Sequence, residues 1–361
     1  MTRTDSESDV DADATSGDAG PEAESATAAE ATTTRLASRA VADARGTEPR
    51  RVRPVDRGNH KRTATVAVGD ADDGTTDLVA QVGPPGADLE TEAAVATAVR
   101  ERTATPVPRV VATGAVDGRP YVVSERAAGD DLHGRFVALS SADRVGVVRA
   151  FGRHLAETHG SFAFEGCGAV VVDDDGGLGV PSPTPWDRWL RERARTACDA
   201  LPAAFDDLRD RIREALKRAD LAADPATTLF PWDVRPGNAL VDGGELSAVL
   251  DWGEPLAAPP ALSVAKAEHV VADWYETPER LREHFRAGYR SVRTLPAVGP
   301  IHRLAAVLAA VVDSEGVVTR PDYPEREGRR AVAFHRGHLR TRLRRCETQN
   351  SSEKAAGVDA T

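Results

Sequence analysis

Between Val52 and Arg126 the apolar positions come in short runs of strand-forming residues, Thr63–Val68, Leu78–Val82, Val110–Thr113 and Tyr121–Ser124. Runs of this length, closed by turn residues, predict strands of one antiparallel sheet. Asp72-Asp73-Gly74 and Asp117-Gly118 supply the reversals, since Asp and Gly tolerate the backbone angles of tight turns. One segment has another period: Leu89–Arg102 carries Leu89, Ala93, Ala96 and Val99 at helical spacing. The expected order is two strands, one helix, two strands.

Beyond Arg126 the pattern turns helical. Asp143–Thr158 sets Val145, Val148, Phe151, Gly152 and Leu155 on one face, with Ser141 as the expected N-cap and Gly160 just past the end. Trp186–Leu201, Phe205–Ala219, Ser263–Trp274, Pro278–Val292, Ile301–Val312 and Arg330–Arg345 read the same way. The expectation is an α+β, bilobal architecture: a small antiparallel-sheet lobe over 46–127, a larger helical lobe over 128–346, and a cleft between them. Residues 1–45 and 347–361 hold few large apolar side chains and are expected to stay unstructured, because they bury too little surface to offset chain entropy.

Charge sharpens this division. Residues 1–30 hold nine acids and one base, so they carry most of the net charge of −11, and the folded part is close to neutral. A basic footprint for nucleic acid is absent. Of the 46 basic residues only four are lysines, Lys61, Lys217, Lys266 and Lys354. Cys167, Cys198 and Cys346 stand far apart, in no ligand-like or disulfide-framework spacing, which suits free thiols in a reducing cytoplasm. No apolar run approaches the roughly 18 residues of a membrane span. A soluble cytoplasmic protein is expected.

Candidate chemistry gathers in Leu229–Pro255. Ala239–Val241 and Leu246–Leu250 flank Asp242-Gly243-Gly244-Glu245, a hairpin signal. With a two-residue loop, Asn238 faces Val249 and Asp251 lies two residues further on, so both project from one face at the open end of the hairpin. One carboxylate and one amide oxygen there suit a magnesium ion beside a nucleotide. Asp233, on the irregular segment just before, is placed to accept or orient a proton of a substrate hydroxyl. An Asx-type turn at Asp233 and a strand-end cap at Asp251 are the competing readings.

The run Asp233–Asn238, the hairpin and Asp251-Trp252-Gly253 resemble the core of the aminoglycoside phosphotransferase and choline-kinase-like family, whose fold is related to protein kinases. The resemblance spans about Val52–Arg345. It implies transfer of the terminal phosphate of ATP, or GTP, to a hydroxyl of a small molecule. It also implies Asp233 as catalytic base and Asn238 and Asp251 as magnesium ligands. Asp56–His60 resembles the phosphate-covering loop, with Gly58 its one glycine. Glu92, or Glu90, matches the helix glutamate, and the backbone of Glu125 and Ala127 matches the segment that meets adenine.

Three positions depart from the family pattern. Gln81 stands where a strand lysine pairs with the helix glutamate and the phosphates, Pro231 where a histidine precedes the catalytic Asp, and Ser263 where an aspartate braces the catalytic loop. At an effective dielectric near 20 a unit charge pair at about 4 Å is worth about 4 kcal/mol, so losing the lysine should be felt. Lys61 or Arg62, from another strand, could supply that cation, although a solvated loop end explains both residues too. Arg235 could contact the transferred phosphate. Asp273, Glu276, Glu279 and Glu283 read either as a site for cationic substrates or as a solvated helix face. The second functional reading, favoured by the three departures, is a catalytically weak kinase-like protein that binds nucleotide or metabolite and acts through partners.

Overall fold

The computed structural model describes residues 21–55, 61–69, 74–221, 225–313, 316–318 and 328–358. Where 1–45 was expected to be unstructured, helix α1 spans Pro21–Arg45. Leu36, Ala37, Ala40 and Val41 make a narrow apolar stripe, each at most 1% exposed, against Ala64, Val66, Val68, Leu78, Ala80 and Val82 of the sheet. Four small-to-medium side chains among Ala, Thr and Glu give a weak periodic signal. Helix stability here comes from docking on a sheet face rather than from the segment alone. Polar ties fix it further: Arg35 bonds Asp117 at 2.6 Å, Arg39 also bonds Asp117, and the Tyr121 hydroxyl donates to Asp43 at 2.5 Å.

The sheet contains β1 (Arg51–Val55), β2 (Arg62–Gly69), β3 (Thr75–Val82), β4 (Val110–Val116) and β5 (Arg119–Glu125), in the order β1-β2-β3-β5-β4 and antiparallel throughout. Helix α2 (Leu89–Arg102) falls as expected between β3 and β4, capped by the Asp88 carboxylate, which accepts from the Thr91 N–H. Strand β1, an edge strand of alternating exposure with a proline inside, has no clear sequence signal. Asp117 and Gly118 both have positive φ, 51° and 69°, giving the mirror-image turn that suits a two-residue hairpin. The Asp72–Asp73 part of the other expected reversal lies outside the described residues.

One face of the sheet is covered by α1. Alternate positions face the opposite way. Thr63 of β2 pairs with Gln81 of β3, Gln81 pairs with Val122 of β5, and Val122 packs on Leu89 and Ala93 of α2. Gln81 therefore lies on the α2 side of the sheet.

The second lobe carries α3 (Ser141–Ser161), α4 (Trp186–Asp199), α5 (Asp206–Arg218), β6 (Thr228–Phe230), the hairpin β7 (Ala239–Asp242) and β8 (Glu245–Val249), β9 (Leu256–Ala258), α6 (Pro260–Glu268), α7 (Pro278–Arg290), α8 (Pro300–Leu308) and α9 (Gly328–Val358). Boundaries shift slightly from expectation. Ser140, not Ser141, caps α3, and Gly160 lies within the helix, which ends at Phe162. Helix α6 ends at Glu268 in a π-turn over His269–Asp273 instead of continuing to Trp274. Helix α9 continues through the stretch expected to fray, and Glu347 pairs with Arg211 at 2.8 Å.

The frame of this lobe is the α3–α7 crossing. A Cβ on Gly152 would stand 2.0 Å from the Phe285 carbonyl oxygen, and one on Gly288 would stand 1.9 Å from that of Arg149. The two helices touch backbone to backbone, and only glycine fits at either point. His159 on α3 bonds the Tyr289 hydroxyl on α7 at 2.8 Å, and burial pushes its pKa down to about 3, so it is a neutral core residue.

Candidate functional site

The hairpin presents the site, though not in the expected register. Asp242 pairs with Glu245 and Val241 with Leu246, as a two-residue Gly243-Gly244 loop requires. Then Leu240 pairs with Ala248 and Ala239 with Val249, leaving Ser247 as an extra residue. This β-bulge moves the partner of Asn238 from Val249 to Leu250, whose N–H donates to the Asn238 carbonyl at 2.8 Å. Strand alternation therefore does not put Asn238 and Asp251 on one face. Asp251 instead leaves the strand in a left-handed conformation, φ 61°, and its carboxylate reaches Lys61 at 3.2 Å. The bulged Ser247 donates its hydroxyl to the Ala128 carbonyl at 2.9 Å, tying the hairpin to the segment joining the lobes.

Asp233 sits in the irregular segment between β6 and the hairpin. Asn238 donates through Nδ2 to the Asp233 carbonyl at 3.0 Å and to its Oδ2 at 3.1 Å, while Arg235 Nε donates to the same Oδ2 at 2.6 Å. Oδ1 faces Lys266 at 3.7 Å. Burial alone would raise the pKa of Asp233; Arg235 and Lys266 outweigh it and hold the carboxyl below the ordinary range, so it is ionised near neutral pH.

Lys61, just before β2, donates to both oxygens of Glu92 on α2, at 2.6 and 2.8 Å, and to Asp251. It follows the alternation of Thr63, which puts it on the α2 face. Burial opposes its charge, yet Asp251 and Glu92 prevail and lift its pKa above the ordinary lysine value. Gly253 is close by: a Cβ there would lie 3.2 Å from Glu92 Oε2 and 3.5 Å from Asp251 Oδ1. The other cation candidate goes elsewhere. Arg62 donates to the Ala29 carbonyl and the Thr33 hydroxyl of α1, both at 3.2 Å, so strand alternation sends it away from the cleft. Gly58 lies outside the described residues. The Glu125 N–H is taken by the Arg109 carbonyl at 2.9 Å and Ala127 is half-buried beside it, so a contact of Glu125 with adenine would use its carbonyl.

Lys266 escaped the sequence reading. It lies on α6, 4% exposed, one turn beyond Ser263; its ammonium donates to the Trp232 carbonyl and sits 3.8 Å from the centre of the Trp232 ring. Arg193 stacks near the same ring at 4.4 Å. Its sequence signal was its type: lysine is rare in this chain, and two of the four flank the cleft.

Asp273 is buried and bonded by Arg282 and by Arg342, the latter at 2.8 Å, while Glu276, Glu279 and Glu283 are exposed. His269, Asp273 and His338 are the one cluster with metal-like spacing among the described residues, but those two guanidiniums already neutralise its carboxylate. At the hairpin the donors differ. Asn238 spends Nδ2 on Asp233, which leaves Oδ1 as an acceptor, and Asp251 is half-exposed at 46%. Two hard oxygens of this kind suit magnesium.

Residues 51–301 match the phosphotransferase enzyme family. A thermostable mutant of aminoglycoside phosphotransferase APH(4)-Ia, in ternary complex with AMP-PNP and hygromycin B, superposes with a TM-score of 0.60 at 17% identity, over 84% of this chain and 96% of that one. The same enzyme with ADP and hygromycin B gives 0.57 at 17% identity, with the same coverage of 84% and 96%. Macrolide 2'-phosphotransferase MphH from Brachybacterium faecium gives 0.50 at 19% identity, over 75% and 89%. No curated protein matches the sequence. No described helix is long and apolar enough to cross a membrane.

Proposed function

Since the chain belongs to the phosphotransferase enzyme family, a small-molecule phosphotransferase by descent, we propose that it moves the terminal phosphate of ATP, or of GTP, to a hydroxyl of a small molecule with magnesium as cofactor. The observation that carries this reading is the Lys61–Glu92 pair at 2.6 Å. The absence of a lysine at Gln81 was the strongest ground for an inert kinase-like protein. A lysine from the adjacent strand, on the same face and paired with the same helix glutamate, removes that ground.

In the proposed reaction the acceptor hydroxyl approaches Asp233, whose Oδ2 is held by Arg235 and Asn238 and whose Oδ1 takes the hydroxyl hydrogen as the oxygen attacks the terminal phosphorus in line and the bond from that phosphorus to the bridging oxygen breaks, releasing the nucleoside diphosphate. Arg235 steadies the transferring group and Lys61 the phosphates behind it. Asn238 Oδ1 and Asp251 would hold magnesium, which neutralises phosphate charge when bound. The nucleotide complexes of the structural relatives support ATP as donor. Asp251, now bridged to Lys61, would exchange that partner for the ion as Lys61 turns to phosphate.

A thermal-shift titration with ATP and GTP, with and without magnesium, tests the binding half. Stabilisation should need magnesium and vanish in Asp251→Ala. Turnover on a panel of alcohol-bearing small molecules, aminoglycosides and macrolides included, should vanish in Asp233→Ala. Magnesium-dependent binding with no turnover on any acceptor or on water would overturn the enzyme reading.

A further inference from the structure

We infer that Lys266 is a positioning residue, a buried cation that clamps the segment carrying Asp233 by bonding the Trp232 carbonyl and seating on the Trp232 ring. The inference rests on the proposed role of Asp233.

The segment needs such a clamp. Trp232 to Arg235 lies between β6 and a short 3-10 turn over Pro236–Asn238, without ladder partners of its own, yet it must hold a carboxylate in place. Two positions that brace this segment in the resembling family cannot do so here. Pro231 has no ring nitrogen to donate and no backbone N–H, and Ser263 is buried at 1% exposure with a side chain too short to span far. Lys266 stands one turn beyond Ser263 and brings a long side chain to the same segment. Its partners are the Trp232 carbonyl, the Trp232 ring at 3.8 Å and Asp233 Oδ1 at 3.7 Å.

Burying an ammonium at 4% exposure is unfavourable unless it is well partnered. Here the surroundings do not fully offset that cost. Arg235 and Arg193 also bear on the site, and burial with these two cations outweighs Asp233, bringing the lysine pKa down to about 8. A residue kept merely for stability would not sit in so poor a balance; a carbonyl held against a flat ring by a compact cation fits a geometric duty. Arginine, abundant elsewhere in the chain, is a planar fork and would not present a point charge to one oxygen and the ring face together. Arg193 covers the Trp232 ring as well, at 4.4 Å, so the indole is held by two cations.

The experiment compares wild type, Lys266→Met and Asp233→Ala, with magnesium-ATP as probe and water as acceptor, together with amide exchange over residues 228–238. Lys266→Met is expected to lower kcat at least about tenfold with the KM for ATP within about twofold, a loss confined to the chemical step. Its Tm should equal or exceed that of wild type, since an ill-balanced buried charge has been removed. Exchange over 228–238 should rise at least about tenfold while α3 is unchanged. Unchanged kcat and exchange would overturn the clamp, and so would a general fall in Tm with exchange rising everywhere, which would make Lys266 an ordinary packing residue. If wild type turns over no faster than Asp233→Ala with water and with every acceptor of the panel, the phosphotransfer reading fails, and the exchange measurement still decides the clamp.

Discussion

Asp233 and Asp251 stand at opposite sides of one hairpin and live under opposite regimes. Asp233 is held inside the second lobe: its side chain is 27% exposed, its partners Arg235 and Asn238 lie within five residues, and Lys266 comes from the helix beneath. Asp251 is 46% exposed, breaks from its strand at positive φ, and its ionic partner Lys61 comes from the other lobe, 190 residues away in sequence. The first group is preorganised whatever the lobes do; the second depends on their approach. Such a division suits a phosphotransferase, in which the acceptor-side carboxylate should be fixed beforehand and the nucleotide side should assemble around its ligand.

Isosteric replacement is the strongest way to break this contrast. Asp233→Asn should lower kcat by about 10²–10⁴ while magnesium-ATP still raises Tm, because in the proposed reaction the lost group acts in the chemical step alone. Asp251→Asn should instead remove the magnesium-dependent rise in Tm. If both variants lose the same parameter, the hairpin does not divide into a chemical side and a binding side.

Lys61 decides whether the cross-lobe half is functional. Lys61→Met leaves Glu92 buried at 9% exposure without its cation, and kcat/KM for ATP should fall about 10–100-fold, the equivalent of roughly 1.4–2.8 kcal/mol, with the larger part in KM. Adding Gln81→Lys should restore part of the loss, since Gln81 lies on the same face one strand over. Steady-state kinetics of the single and double variants check this. A Lys61→Met enzyme with unchanged KM would return Lys61 to the status of a surface residue.

A third change tests the frame rather than either carboxylate. Gly152→Ala puts a methyl into the Phe285 carbonyl at the α3–α7 crossing, and α7 can only back away. Overpacking of this kind costs about 1–3 kcal/mol, read as a Tm lowered by several degrees. At temperatures where the variant is fully folded the KM for ATP should stay near the wild-type value, because the added methyl meets the Phe285 carbonyl and the Tyr289 N–H of α7 rather than the Lys61 bridge or the hairpin. A raised KM would show that the lobe interface, and not the local contacts, sets the position of Asp251.

How much of this was legible in the sequence follows from the range of each interaction. Helix α2, the Asp117-Gly118 turn and the Asp233–Asn238 run are written in residues a few positions apart, and local pattern finds them. The bulge at Ser247 was not, because the bond that accompanies it reaches Ala128, more than a hundred residues away. Helix α1 hid for a similar reason: its apolar stripe has meaning only against a sheet that lies later in the chain. The absent strand lysine raised the right question, and Lys61 was one of two answers; only the strand pairing separates it from Arg62, which turns to α1. Lys266 was not legible because it stands one helical turn beyond Ser263, and its partner Trp232 lies 34 residues earlier in the chain.

The smallest expected effect bears on the preorganised half and has a definite sign. Lys266 has its pKa brought down by burial to about 8 in the folded chain, against 10.5 when unfolded. Below pH 8 the lysine is charged in both states, and the cost of burying it weighs on the fold in full. Between pH 8 and 10.5 the folded chain gives up that proton while the unfolded chain keeps it, so the unfolded state binds more protons and stability rises with pH. A full proton of difference is worth about 1.4 kcal/mol per pH unit, and most of it is reached between pH 8.5 and 9.5, so the contribution gained from pH 7 to 9.5 is about 2 kcal/mol. Lys266→Met has no such group, and its stability advantage at pH 7 should therefore shrink by about 3 °C in Tm by pH 9.5. Taking the difference between the two proteins at each pH cancels the tyrosines and other groups they share. A gap that stays constant from pH 7 to 9.5 would mean that Lys266 keeps an ordinary pKa, and that the cation beneath Asp233 is better partnered than its surroundings suggest.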